Sequence, residues 1–210
     1  MSIEKIEIKL AHFNAVSLFT AHQDVRYYLD GIAINNGHIV ATNGHYLAAI
    51  PCNVPDGVGN FIIPNDVIKK FLKSYTPKQK RLMTEEEKEY GKKKNKRCKD
   101  FTMLIEIDTE SNKGVLRSNS YEHFNTPIVL EFTCIDGRFP NWKQTVPASD
   151  ATEYHGFYNW DYMALFSKAS RILGDYQIGR AVLKENSTNG AKVLFPQCKE
   201  FIGVIMPMRY

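Results

Sequence analysis

A chain of 210 residues is long enough for one large domain or two small ones with a real core. Its 43% hydrophobic and 24% charged residues are ordinary for a globular protein, and no apolar run approaches the roughly 20 residues of a membrane-spanning helix. The net charge of +4 is localised: Lys73 to Lys99 holds eleven Lys/Arg against four Glu, a net +7 that leaves a mildly acidic body at −3.

In chain order, Ile3 to Leu10 alternates charged and apolar side chains and predicts an amphipathic strand rather than a signal peptide. Phe13, Val16, Leu18 and Phe19 form a helical stripe within Ala11–Ala21, and strands are predicted at 27–35, 38–42 and 46–51. Asn36-Gly37 marks a tight turn between the first two strands, and Asn43-Gly44 one between the second and third. The same β-α-β-β-β order then recurs. Asn60–Pro64 reads as a strand, and Asn65 or Asp66 as the cap of a helix with Ile68, Phe71 and Leu72 inward. Strands at 101–109, 114–119 and 127–135 follow, the first of them alternating Met103, Ile105 and Ile107 against Leu104, Glu106 and Asp108. A third unit starts with a strand at 152–158 and a helix at 160–173 carrying Met163, Phe166, Ala169, Ile172 and Leu173 on one side. Strands at 178–184, 191–195 and 201–208 close it. The order of elements repeats although the sequence does not.

Between the second helix and its next strand, residues 74–100 are rich in Lys and Glu and nearly devoid of apolar side chains. Two readings stay open: a solvated loop, or helix at 83–90, and a basic arm that contacts phosphates. Cys52, Cys98, Cys134 and Cys198 are widely spaced without a CxxC pair; three of them sit in or beside apolar strand-like sequence, which predicts small buried residues there and a reducing cytoplasm. His38 and His45 lack a carboxylate or cysteine at ligand spacing, so no metal is expected, and no cofactor motif occurs. Asp30, Asp136 and Asp175 sit in predicted turns. No nucleophile-elbow, zincin, phosphate-loop or dinucleotide pattern is present, so the expectation is a binding scaffold, not an enzyme.

Four separated runs carry a family resemblance: Gln23-Asp24-Val25-Arg26-Tyr27-Tyr28-Leu29, Ala41-Thr42-Asn43-Gly44-His45-Tyr46-Leu47-Ala48, Ile135-Asp136-Gly137-Arg138-Phe139-Pro140-Asn141-Trp142, and Val204-Ile205-Met206-Pro207-Met208-Arg209-Tyr210. In this order they resemble the bacterial DNA polymerase III sliding clamp, the β subunit. The resemblance implies an α+β DNA-clamp fold of repeated β-α-β-β-β units. Residues 1–147 would make one domain like the clamp's middle domain, with 74–100 as a basic insertion. Residues 148–210 would match half of its last domain. A half-domain standing alone would expose a sheet edge and an apolar helix face, so self-association through 148–210 and a homo-oligomer are expected.

The resemblance further implies a groove for the short clamp-binding peptides of polymerase, clamp-loader and repair proteins. Its positions carry over as Leu29, Thr42, Gly44, His45, Leu47, Pro140, Val204, Met206, Pro207, Met208 and Arg209. Tyr46 replaces an arginine, Tyr210 a leucine, and Gln144-Thr145 an Arg-Val pair. Met206 and Met208 also admit a reading as core residues. For double-stranded DNA, contacted without base readout, Lys69, Lys70 and Lys73 share one helix face and Lys168 and Arg171 another. Any surface helix shows such a face, and Ala11–Ala21 has no Lys or Arg. The function implied is that of a processivity or recruitment factor. The alternative is a clamp-like competitor that sequesters the same peptides without encircling DNA.

Overall fold

The computed structural model describes residues 3–54, 60–81, 102–118, 128–147, 157–174, 182–185 and 190–208; for 75–81 and 182–185 it describes the backbone alone. The first unit runs β1 (Ile3–Lys9), α1 (Leu10–Ser17), β2 (Gly31–Asn35), β3 (His38–Thr42) and β4 (Tyr46–Pro51). The second runs β5 (Phe61–Pro64), α2 (Asn65–Arg81), β6 (Thr102–Asp108), β7 (Lys113–Ser118) and β8 (Val129–Thr133). The third contributes α3 (Trp160–Leu173), β9 (Val182–Glu185), β10 (Ala191–Phe195) and β11 (Cys198–Ile205).

The first two units exchange their opening strands. β1 pairs antiparallel with β6, Ile6 opposite Ile105, while β5 pairs with β2, Ile32 opposite Ile63. The result is a four-stranded sheet β1-β6-β7-β8 and a seven-stranded sheet β5-β2-β3-β4-β11-β10-β9. This is the mixed α+β architecture of the repeated unit. The seam between the first two units and the third is a strand pair, β4 with β11, in which Leu47 lies opposite Val204.

The two faces of the seven-stranded sheet explain why β2, β3 and β4 read as nearly unbroken apolar runs. Successive side chains alternate between faces, and here both faces are buried. Ile39, Ala41, Ala48 and Ile50 face a core shared with Phe13, Val16 and Phe19 of the first unit, Ile68 and Phe71 of α2, and Phe166 and Ala169 of α3. Val40, Leu47 and Ala49 face a smaller core completed by Leu29, Phe139, Trp142 and Val204. The helices thus cover one side of the sheet, and the segments around residues 27–29 and 135–146 cover the other.

Several boundaries differ from the expected ones. Tyr27–Leu29 forms a 3-10 turn instead of the start of a strand, closed by Leu29 N–H donating to the Arg26 carbonyl (2.8 Å) and Asp30 N–H to that of Tyr27 (3.1 Å). Asn65 opens α2, but its amide reaches across to donate to the Ala21 carbonyl (2.7 Å). α2 continues to Arg81, well past the expected break at 74, running through Tyr75-Thr76-Pro77 against their low helix propensity and on into Lys78-Gln79-Lys80-Arg81. β11 ends at Ile205, three residues short of the expected strand. Residues 152–156 of the expected strand at 152–158 and the rest of the basic insertion lie outside the described residues, and 157–158 are not strand. The Asn36-Gly37 turn has φ of +50° and +73°, both left-handed as the hairpin requires.

On α3, Phe166 and Ala169 are buried within the chain, while Met163, Ile172 and Leu173 of the expected apolar stripe are half-buried against the same core. Phe166 is 1% exposed, its ring 4.8 Å from that of Phe19 and 6.4 Å from that of Phe201. Among the described residues, no helix is long and apolar enough to cross a membrane.

Burial raises the described thiols: Cys52 and Cys134 rise from 9.0 to about 11, and Cys198 also moves up. The native state therefore keeps protons that the unfolded chain releases above pH 9. The stability they contribute is complete below that pH and is lost as pH climbs through 11. Urea midpoints measured from pH 8 to 11 should fall across that window, and more shallowly in a Cys52→Ala, Cys134→Ala variant.

Candidate functional site

At the β4–β11 seam, on the face away from the helices, lies an apolar cavity of about 200 Å³. Leu29, Leu47, Trp142 and Val204 form its floor, each no more than 4% exposed. Three distant segments converge there for local reasons. Leu29 is set by its 3-10 turn and by its carbonyl, which accepts from Ala21 N–H (3.1 Å). Pro140 is placed by a short turn in which its carbonyl accepts from Trp142 N–H (2.8 Å). The Trp142 indole Nε1–H in turn donates to the buried Asn35 side chain (3.2 Å), and its ring meets His38 edge-on at 5.0 Å.

The β3–β4 connection makes one wall. The Thr42 hydroxyl donates to the Tyr46 carbonyl (2.7 Å) and accepts from Gly44 N–H (3.0 Å). The Asn43 side-chain oxygen accepts from the N–H of both His45 (2.9 Å) and Tyr46 (3.1 Å). Gly44 has φ +90°, where a side chain is strained, and an added Cβ would lie 2.8 Å from an Arg26 guanidinium nitrogen. His45 stacks on Tyr162 of α3 at 5.8 Å, and Tyr46 meets the same ring edge-on at 5.0 Å. Burial pushes the Tyr46 phenol up. Met206 closes the opposite wall, its N–H donating to the His45 carbonyl (2.9 Å).

One cation stands at the mouth. Arg26 donates from Nε and Nη2 to the Asp24 carboxylate (3.1 and 2.8 Å) and from Nη2 to the Asn43 carbonyl (3.0 Å). These hydrogen bonds hold the Asp24 carboxyl down at about 2. The fork ties the loop before the 3-10 turn to the β3–β4 connection, so the lip is braced from both sides.

Of the residues expected at this groove, Leu29, Thr42, Gly44, His45, Tyr46, Leu47, Pro140, Val204 and Met206 line the cavity. Pro207 and Met208 follow Met206 beyond it; Met208 is 55% exposed, which excludes the core reading for that side chain. Arg209 and Tyr210 lie outside the described residues. Thr145, read from the sequence as a departure from the family pattern, lines the cavity as well, while sequence reasoning missed Arg26, Tyr28 and Trp142. These three sit inside the runs that carried the resemblance, so adjacency was the available signal.

The expected DNA contacts lie on the helix side. Lys69, Lys70 and Lys73 are exposed on α2, Lys168 and Arg171 on α3. Lys69 Nζ donates to His22 Nε2 (2.7 Å), and Lys70 bridges Asp66 (3.1 Å). Cavity and cations are thus separated by the thickness of the sheet. Among the described residues, no group of three or more His, Cys, Asp or Glu is gathered as a metal site.

No family model matches the sequence, and no curated protein does. Solved structures do match the fold. The DNA polymerase sliding clamp of Pseudomonas aeruginosa with a ligand is 17% identical, with a TM-score of 0.64 over 99% of this chain and 66% of that one. The sliding clamp of Bartonella birtlesii bound to griselimycin is 16% identical, with a TM-score of 0.64 and the same coverage. The polymerase III β protein of Caulobacter crescentus is 16% identical, with a TM-score of 0.63 over 100% of this chain and 68% of that one. The fold is that of the bacterial sliding clamps, and the chain spans about two thirds of their length.

Proposed function

We propose that this chain is a sliding-clamp-like accessory protein of DNA replication that captures short linear peptides in the cavity at the β4–β11 seam. The observation that carries the reading is convergence: residues from four separated runs line one preformed apolar cavity. Such a cavity suits a peptide with one or two large apolar anchors, held by Leu29, Leu47, Val204 and Met206. Met206 adapts to anchors of different shape because its thioether chain is unbranched. Trp142 lines the cavity and Trp160 is 85% exposed, so a Trp160→Phe variant leaves Trp142 as the only tryptophan. Its fluorescence should change saturably as an unlabelled peptide of Gln-Leu-x-Leu-Phe pattern is added, and not with a Gln-Ala-x-Ala-Ala control. A flat signal with both peptides contradicts the reading.

The cations of α2 and α3 are assigned to double-stranded DNA, held through phosphates without base readout. Supporting this is their placement on the face away from the cavity, which leaves both ligands room at once. Each phosphate contact removed lowers the slope of log affinity against log salt by roughly 0.9. Lys69→Gln, Lys70→Gln and Lys73→Gln together should flatten the measured slope by about 2 to 3 for a short duplex. An unchanged slope assigns the α2 cations to solvent.

A further inference from the structure

Asn35 is the last residue of β2 and is only 5% exposed. Alternation along the strand puts it on the same side as Ala33, facing the smaller core, where an apolar side chain is the ordinary choice. A buried amide in such a place keeps its polar atoms paired. Its Oδ1 accepts from the Trp142 indole Nε1–H (3.2 Å) and from the Asn36 side-chain amide (2.7 Å). An indole N–H only donates, so the oxygen of Asn35, and not its nitrogen, faces the ring. Among the described residues, this bond is the one that ties the segment 136–146 to the sheet. The segment's other described bonds run within it: Trp142 N–H to Pro140, Gln144 N–H to Asn141, Val146 N–H to Lys143, and the Thr145 hydroxyl to Trp142.

We infer that Asn35 is a positioning residue for the cavity: it does not line it, but through Trp142 it fixes where the wall formed by residues 140–145 stands. The inference rests on the peptide reading above. Ala33, Val40 and Ala49 of the sheet share the smaller core with Trp142. Apolar contact with such short side chains buries the indole without fixing its angle, because the hydrophobic effect has no direction. The hydrogen bond supplies that direction. His38, on the other strand of the same hairpin, meets the ring edge-on at 5.0 Å, and its Nδ1–H donates to the Asn36 carbonyl (2.9 Å). The hairpin thus grips the indole at its nitrogen and along its ring. Trp142, Pro140 and Thr145 all line the cavity, and the backbone of Trp142 is bonded to both of the others, so a displaced indole carries the wall with it. The opposite lip has its own brace in the Arg26 fork to Asp24 and Asn43. Loss of Asn35 therefore loosens one side of the cavity and leaves the other in place.

The test is made on the whole chain carrying Trp160→Phe, the parent in which Trp142 is the only tryptophan, with circular dichroism as the check on folding. Two quantities are read: acrylamide quenching of Trp142 without peptide, and the affinity for a labelled Gln-Leu-x-Leu-Phe peptide by polarisation. Asn35→Leu keeps the size of the side chain and removes the acceptor. It should raise the quenching constant and weaken peptide binding about fivefold or more, the scale of one lost hydrogen bond. Asn35→Asp keeps the acceptor and should match the parent in both. Trp142→Phe should weaken binding by itself, and adding Asn35→Leu to it should weaken it no further, since Asn35 acts through the indole. Should Asn35→Leu fail to fold, Asn35→Ala takes its place in each comparison. Where the parent binds peptide, a folded Asn35→Leu protein in which either quantity stays at the parent's value overturns the inference. So does Asn35→Asp behaving like Asn35→Leu, or Asn35→Leu costing as much affinity on top of Trp142→Phe as alone. A parent that binds no peptide refutes the peptide reading instead, and quenching then decides: a raised constant in Asn35→Leu upholds the positioning of Trp142, and an unchanged one overturns it.

Discussion

Replacing Phe166 with alanine should cost about 3–5 kcal/mol of stability, the range for deleting a fully buried aromatic ring. Phe166 is 1% exposed and joins parts of the chain far apart in sequence: the Phe19 ring after α1, α3 itself, and β11 through Phe201. The ring has its place because β11 carries glycine beneath it. A Cβ at Gly203 would sit 2.7 Å from the Phe166 ring, 2.9 Å from that of Phe201 and 3.0 Å from Val193. Gly203→Ala therefore overpacks where Phe166→Ala empties, and should destabilise by roughly 1–3 kcal/mol. Chemical denaturation followed by circular dichroism reads both. The informative comparison is the pair together: with the ring gone the new methyl gains room, so the double variant should lose less than the sum of the singles. Strict additivity would mean that the helix–sheet contact at this point is loose.

Met206→Ala should weaken peptide capture by about 1 kcal/mol or more, roughly five- to tenfold in Kd, with little effect on stability. Met206 lies past the end of β11, is half-buried, and contributes its side chain to one wall of the cavity. Its backbone bond to the His45 carbonyl survives the substitution, so the wall keeps its position and loses only apolar area. Leu47→Ala removes a floor residue and should weaken binding at least as much. Leu47 is 4% exposed, however, so that variant also loses about 2–5 kcal/mol of stability and confounds the two effects. Met206 is the cleaner probe.

Much of this architecture was legible where one physical signal dominated. β6 alternates strictly and lies where its period put it; α3 carries a one-sided apolar stripe and spans the expected residues. Asn36-Gly37 named its hairpin. Tyr27–Leu29 was misread because aromatic and aliphatic residues favour strands, whereas here side chains decide the backbone. Asp24 accepts from Arg26 N–H (2.9 Å), and that bond starts the turn. The β4–β11 seam was illegible from local pattern: Leu47 and Val204 are far apart in sequence, and each strand shows only that it is buried on both faces. The cavity was legible through the four runs, but not its brace. Arg26 reads in sequence as one more exposed cation, and only the fold brings it to the Asn43 carbonyl.

The most direct measurement is a fluorescence-polarisation titration of a labelled Gln-Leu-x-Leu-Phe peptide against three proteins: wild type, Met206→Ala and Lys73→Ala. Lys73 is exposed on the helix side, away from the cavity, and serves as the control. Saturable one-site binding by wild type and Lys73→Ala, with Met206→Ala at least fivefold weaker, is the predicted result. No saturable binding, or equal binding by all three proteins, would contradict the assignment of the β4–β11 cavity as a peptide site.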